Sequence, residues 1–341
     1  VTPAELSRTV RHAVCRAVED GVLRVDTLDH VPDRVKIERP RPGGRGDYAT
    51  GIALRLASRA GRPALEVAEA IRQRVADEPG IACVEVTGPG FLNFTLHGSA
   101  QDELVRKVLR DGPGYGAPRR PGGPFAHSGE LRARVWADAL VRLGAEPRPG
   151  EAVRVVPAAD QGLCERLGTD AARWALLAAA AHDRPKAGAD LLTQHERNPL
   201  FRVRYAHSRT RALARNAAAL GFGASPGEPP DAPDEPAEAP TAPAEPAGTP
   251  GLTALTSPLA AALADHPAVV ADAARLRAPD RLVRHLEVTA DHVLAFQHSV
   301  LPVGDEKPTA AHRARLALAE AVGTVLAGGL SLLGVSAPEY L

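Results

Sequence analysis

Asn198-Pro199-Leu200-Phe201-Arg202-Val203-Arg204-Tyr205-Ala206-His207-Ser208-Arg209-Thr210-Arg211-Ala212-Leu213-Ala214-Arg215-Asn216 is the stretch to which the rest of the chain can be referred. Asn198 before Pro199 reads as a helix cap with proline in the first turn, where its missing N–H costs nothing. At about 100° per residue, Val203, Ala206, Thr210, Leu213, Ala214, Ala217 and Leu220 fall on one core-facing arc. Arg204, Arg209, Arg211 and Arg215 occupy the remaining arc, with Phe201 and Tyr205 one turn apart among them. Guanidinium forks interleaved with aromatic rings suit phosphates and unstacked bases.

The word Asn198-Pro199 followed by Tyr205-Ala206-His207-Ser208-Arg209 resembles the N-P-x-x-x-x-x-Y-A-H-x-R signature of the anticodon-binding helical domain of arginyl-tRNA synthetase. Gly168-Thr169-Asp170-Ala171-Ala172-Arg173 resembles the family's G-v-D-A-a-R helix, with Thr169 or Asp170 expected as its cap and Trp174, Leu176 and Leu177 facing a core. The closing residues Leu333-Gly334-Val335-Ser336-Ala337-Pro338-Glu339 resemble the family's L-G-v-x-A-P-E tail, with Tyr340-Leu341 where Arg-Met is usual.

Outward toward the first residue, Thr2-Pro3-Ala4-Glu5 spells a capping box, and Leu6, Val10, Val14, Ala17 and Val18 follow at helical spacing. Val35 to Pro40 reads as a short strand. Gly46 to Thr50 leads into a helix from Ile52 to Ala60, a second helix runs from Leu65 to Val75, and Val84–Val86 and Phe91–Phe94 alternate as strands around Gly88-Pro89-Gly90. Helices on one face of an antiparallel sheet make a small α+β domain. Glu38-Arg39-Pro40, Gly46-Asp47-Tyr48-Ala49-Thr50 and Gly88-Pro89-Gly90-Phe91-Leu92-Asn93-Phe94 are similar to words of the arginyl-tRNA synthetase N-terminal domain, in the family's order. That domain contacts the tRNA D-loop corner, which makes Phe91 and Asn93 candidates for RNA contact.

Between these ends the resemblance thins. A doubly wound nucleotide-binding sheet needs βαβ units of about thirty residues each, and residues 98 to 165 hold room for about two. His127-Ser128-Gly129-Glu130-Leu131-Arg132 resembles a degenerate H-x-G-H-L-R signature opening a helix that runs to Gly144. The family uses both histidines and the helix N-terminus to hold ATP phosphates. Here Glu130 replaces the second histidine, and a carboxylate repels the anion it would have to stabilise. No lysine lies between Lys107 and Lys186, and the chain has no Met, so the family's K-M-S-K loop has no counterpart. Val153 to Pro157 is a further strand candidate. No Walker loop, G-x-G-x-x-G or metal-ligand spacing offers another nucleotide or metal site, and no cofactor is expected.

Composition agrees with a binder whose charge is local. Arginine and lysine total 41, matching 41 acidic residues, and only four of the bases are lysines. Zero net charge rules out whole-molecule attraction to a polyanion. Residues 223–250 are rich in proline, alanine and acids and read as a disordered loop. Helical periodicity resumes at Leu259, punctuated by Pro258 and Pro267, with Leu282, Leu286, Val293 and Phe296 on one stripe and a last helix from Ala310 to Leu333. Cys15, Cys83 and Cys164 are isolated and read as buried thiols of a reducing cytoplasm. No apolar run suggests a membrane span.

The expected architecture is a multidomain α+β plus all-α chain. It comprises an N-terminal α+β domain over 1–97, a degenerate catalytic remnant and connector over 98–165, and a DALR-type helical anticodon-binding domain over 166–341. The resemblance is closest to actinobacterial-type arginyl-tRNA synthetase-related anticodon-binding proteins. It implies noncatalytic binding of tRNA or a tRNA-like RNA, not DNA, through Phe201, Arg204, Tyr205, His207, Arg209, Arg211, Arg215, Arg315, Phe91 and Asn93. Other translation proteins are further candidate partners. Residual arginine–tRNA ligase activity with ATP, and a protein-interaction role, are the alternatives.

Overall fold

A computed structural model of the chain describes residues 2–24, 31–40, 46–96, 98–158, 162–227 and 252–341. The chain divides into two compact units, Val1–Leu104 and Val105–Leu341.

The first unit opens on α1 (Pro3–Glu19), whose cap is built as its sequence prescribes. The Glu5 amide donates to the Thr2 hydroxyl at 3.2 Å and the Thr2 amide donates to the Glu5 carboxylate at 2.8 Å. Then come β1 (Tyr48–Thr50), α2 (Ile52–Ala60), α3 (Ala64–Val75), β2 (Ile81–Thr87) and β3 (Phe91–Leu96). The strands form an antiparallel sheet of order β1-β3-β2, with Tyr48 and Val84 flanking Phe94 on either side. Leu6, Val10 and Val14 of α1, Leu56 of α2, Val67 and Ile71 of α3, and Leu92 and Phe94 of β3 share one buried core.

Two expectations fail in this unit. Val35 to Pro40 is not a strand: Glu38 alone bridges Ala49. The sheet's third member is β1, and three residues are too few for the alternation by which a strand is recognised. Cys83 is exposed on β2, and Cys15 and Cys164 are half-buried, so none of the three is the buried thiol expected.

The second unit is helical. After α4 (Gly98–Asp111), which begins in the first unit's range, it contains α5 (Leu131–Arg142), α6 (Leu163–Leu167), α7 (Thr169–Ala178), α8 (Pro199–Ala219), α9 (Leu252–Arg275), α10 (Asp280–Phe296) and α11 (Ala310–Leu332). Sequence reading missed α4. Val153–Pro157 is not a strand either: Ala152 makes a single parallel bridge to Ala126. Pro258 and Pro267 do not divide α9, which runs through both.

By length and composition α11 could cross a membrane, but Leu316, Val322, Leu326 and Leu330 are buried against the other helices. Two glycines let it approach them closely. A Cβ at Gly323 would overlap the Thr210 hydroxyl of α8, and one at Gly329 would overlap the Leu286 side chain of α10. Of the acidic segment 223–250, residues 223–227 carry no regular structure and the remainder lies outside the described residues.

Candidate nucleic-acid interface

Helix α8 carries most of the candidate residues. The Asn198 side chain accepts from the Phe201 amide at 3.2 Å, while its own amide donates to the carbonyls of Leu191 and Thr193, both at 2.9 Å. Burial of Leu200, Val203, Ala206, Thr210, Leu213 and Ala217 fixes the rotation of the helix. Leu220, expected on this stripe, is exposed, because the helix ends at Ala219 and the chain turns there. Phe222 takes the buried place instead.

The opposite arc is not uniformly open. Phe201 and Tyr205 stack with ring centroids 5.7 Å apart and planes 13° apart, and Tyr205 is 36% exposed. Arg211 and Arg215 are exposed. Arg211 pairs with Glu339 at 3.0 Å, and the Arg215 guanidinium lies 4.3 Å from the Tyr340 ring centroid. Arg209 is half-buried and donates to the Gln297 side chain at 2.8 Å.

Arg204 is committed inward, pairing with Asp170 and donating to the Ser336 carbonyl at 3.1 Å and its hydroxyl at 2.7 Å. His207 is buried, with Nδ1 3.0 Å from the Pro338 carbonyl oxygen. Burial depresses its pKa, opposed by that backbone contact, so the ring is neutral near pH 7. Arg315 is half-buried on α11 and donates to the Ser299 carbonyl at 2.9 Å. The segment from Ser336 to Tyr340 therefore lies along the arginine arc of α8.

Neither Thr169 nor Asp170 caps α7, the role expected of one or the other. Gly168 holds the cap position without a side-chain bond, and the Asp170 carboxylate instead takes Arg204 and the Ser336 hydroxyl, the latter at 2.6 Å. Beside this junction a cavity of about 420 Å³ is lined by Asp170, Thr193, Gln194, Asn198, Phe201 and Arg204, among others. In the first unit, Phe91 is 41% exposed, while Asn93 is buried and donates to the Thr87 hydroxyl at 2.6 Å across the hairpin.

The degenerate signature has a structural role. Glu130 caps α5, accepting from the Ala133 amide at 3.0 Å and from the Ala158 amide at 2.9 Å. Its carboxylate thus fills the helix N-terminus, where an anionic ligand would otherwise be favoured. His127 is exposed, and its Nδ1 accepts from the Gly129 amide at 3.1 Å.

Sequence reading missed Arg132, which is fully buried. Its five N–H groups donate to the carbonyls of Leu176, Val156, Asp183, Ala179 and Ala180 at 2.7–3.1 Å. Leu176 O also accepts from the Trp136 indole at 2.9 Å. Burial lowers the guanidinium pKa from its ordinary value.

Residues 4–96 match the arginyl tRNA synthetase N-terminal domain, and residues 203–341 match the DALR anticodon binding domain. The chain carries two domains of the arginyl-tRNA synthetase family. An arginine–tRNA ligase of Frankia alni is 48% identical over 123 residues, covering 36% of this chain and 22% of the relative. That of Micrococcus luteus is 36% identical over 156 residues, covering 41% and 28%. The chain thus spans about a quarter of the length of these relatives. The Thermus thermophilus arginyl-tRNA synthetase structure superposes with a TM-score of 0.62 at 14% identity, covering 98% of this chain and 100% of that one, which is a likeness of fold. The match to the DALR anticodon binding domain begins within α8.

Proposed function

We propose that this chain binds tRNA, or RNA folded like tRNA, without aminoacylating it. The observation carrying this reading is the stacked Phe201–Tyr205 pair beside Arg209, Arg211 and Arg215 on the opening helix of a DALR-type domain. The rings offer faces for unstacked bases, and the guanidiniums offer forks for phosphates. Arg204, His207 and Arg315 act in this reading by positioning, because each is held by a contact within the protein, to Asp170, the Pro338 carbonyl and the Ser299 carbonyl in turn. Phe91 is the corresponding aromatic surface of the N-terminal unit, and Asn93 supports its hairpin.

Two observations support a noncatalytic role. Only residues 97–202 separate the two matched domains. The Glu130 carboxylate also sits where the family signature would place a histidine toward ATP.

Titration with unfractionated bacterial tRNA tests the binding half. Tyr205→Ala, which removes a stacking face worth about 1–3 kcal/mol, should weaken binding at least fivefold. Equal affinity for tRNA and for a long inorganic polyphosphate of similar total charge would overturn it. Arginine-dependent ATP–pyrophosphate exchange tests the other half, with no exchange expected from the parent or from Glu130→His.

A further inference from the structure

The arginines that α8 offers to a polyanion already have an occupant. We infer that the Glu339–Tyr340 end of the segment 336–340 is a displaceable cover over Arg211 and Arg215, which a phosphodiester must exchange for itself. This inference rests on the RNA-binding reading of the same face.

The segment has a firm part and a loose part. At its start the Ser336 hydroxyl donates to Asp170 at 2.6 Å, and the Ser336 carbonyl and hydroxyl both accept from Arg204. The Pro338 carbonyl meets the buried His207, and the Glu339 carbonyl accepts from the Ser208 hydroxyl at 3.1 Å. These contacts use backbone oxygens and a hydroxyl, so they neutralise no arginine beyond Arg204, whose charge Asp170 already balances. Beyond them, among the described residues, side chains hold the segment. The Glu339 carboxylate and the Arg211 guanidinium pair at 3.0 Å, with both side chains about half exposed. Tyr340 lies over Arg215 while 69% exposed.

An ion pair so open to water is weak and screened by salt. It is still a carboxylate occupying the guanidinium edge that a phosphate oxygen would take. A phosphodiester brings the same charge and can also contact Arg215 once Tyr340 swings away. The anchors through Ser336 and Pro338 keep the displaced end tethered nearby, so the cover recloses when the ligand leaves.

The test uses the full chain and two probes, unfractionated bacterial tRNA and inorganic tripolyphosphate, at low ionic strength. Glu339→Gln removes the competing charge and leaves the backbone anchors, and should tighten tripolyphosphate binding about two- to fivefold. Glu306→Gln makes the same net-charge change at a carboxylate that pairs with His312, and should tighten it less. In an Arg211→Gln background, Glu339→Gln should produce no gain, because the site it uncovers is gone. Unchanged or weaker tripolyphosphate binding by Glu339→Gln would overturn the inference and make the segment a fixed part of the binding surface. A gain that persists without Arg211 would overturn it too, as a bulk charge effect. If tripolyphosphate binding tightens while tRNA binds neither protein, the cover stands and the RNA reading falls.

Discussion

Arg132 satisfies every one of its five donors with a backbone carbonyl. Three of those carbonyls, of Leu176, Ala179 and Ala180, lie at or just past the C-terminal end of α7, where helix carbonyls lack amide partners and a cation is favoured. Replacement by Met should therefore destabilise the chain by at least about 3 kcal/mol, since the carbonyls would be left buried and unpaired. Lysine should not rescue it, because three donors on one nitrogen cannot reach five acceptors. Urea unfolding midpoints of the parent and both variants check this, and a lysine variant as stable as the parent would refute it. The sequence contained a signal for this residue: an arginine flanked by Leu131, Ala133, Val135 and Trp136 sits on an apolar face. Within the H-x-G-E-L-R word the same arginine is only the last letter of a degenerate signature.

Two histidines supply a residue-scale pH dependence. His266 of α9 and His285 of α10 have ring centroids 5.3 Å apart, and Tyr115 stacks on His266 from 6.1 Å. Among the described residues, neither ring nitrogen of His266 has a hydrogen-bond partner, nor has Nε2 of His285. Burial lowers the pKa of His266 from 6.5 to about 3, helped by His285, and burial alone lowers that of His285 to about 4. Folded pKa values below the unfolded one mean that the unfolded chain binds more protons. Stability is thus fully present above pH 6.5 and falls as pH drops toward 4 and then 3. One fully excluded imidazole contributes a loss of about 2 kcal/mol between pH 6.5 and 5. His266→Phe should remove that part of the slope, and thermal unfolding of parent and variant at both pH values would reveal a failure if the two slopes coincide.

Among the elements, α9 illustrates how tertiary structure overrides a local rule. Proline inside a helix removes the bond to the carbonyl four residues earlier and commonly ends the helix, which is why Pro267 reads as punctuation. The carbonyl it leaves without a partner is that of Leu263, and the buried Tyr115 hydroxyl donates to it at 3.0 Å. Tyr115 lies far off in sequence, so no window of residues around Pro267 contains the compensation. Tyr115→Phe should cost about 1–3 kcal/mol by leaving that carbonyl unsatisfied. The cost should shrink in a Pro267→Ala background, where an amide returns to the same acceptor, and a double-mutant cycle on unfolding free energy measures the difference. If the cost is the same in both backgrounds, Tyr115 does not substitute for the missing amide.

The same distinction separates what was legible among the elements. The helices of period 3.6 and the β2–β3 hairpin follow from apolar spacing and turn residues. Strand β1 is defined by its pairing, with β3 and at Glu38, rather than by a pattern of its own, and beside Val153–Pro157 the bridge is a single one, from Ala152 to Ala126. In the candidate site, the outward arc of α8 was legible from spacing. Which arginines on it remain open was not, since Asp170, Gln297 and Glu339 come to it from three other parts of the chain.

At the scale of the whole molecule, zero net charge restricts how RNA could be held. A polyanion gains nothing from the protein's total field, so binding must come from arginines gathered on a face and from aromatic rings that stack regardless of charge. These two sources differ in their response to salt. Each phosphate neutralised releases counterions and adds about 0.7–0.9 to the slope of log affinity against log salt, whereas stacking adds almost nothing. Arg211→Ala/Arg215→Ala should therefore lower that slope by about 1.5 and weaken tRNA binding most at low salt. Phe91→Ala in the N-terminal unit should weaken binding by a similar factor at every salt concentration and leave the slope unchanged. Measuring tRNA affinity of the full chain and both variants across a salt series separates the cases. A slope untouched by loss of both arginines would mean that α8 meets no phosphate, and an affinity untouched by loss of Phe91 would confine RNA contact to the helical unit.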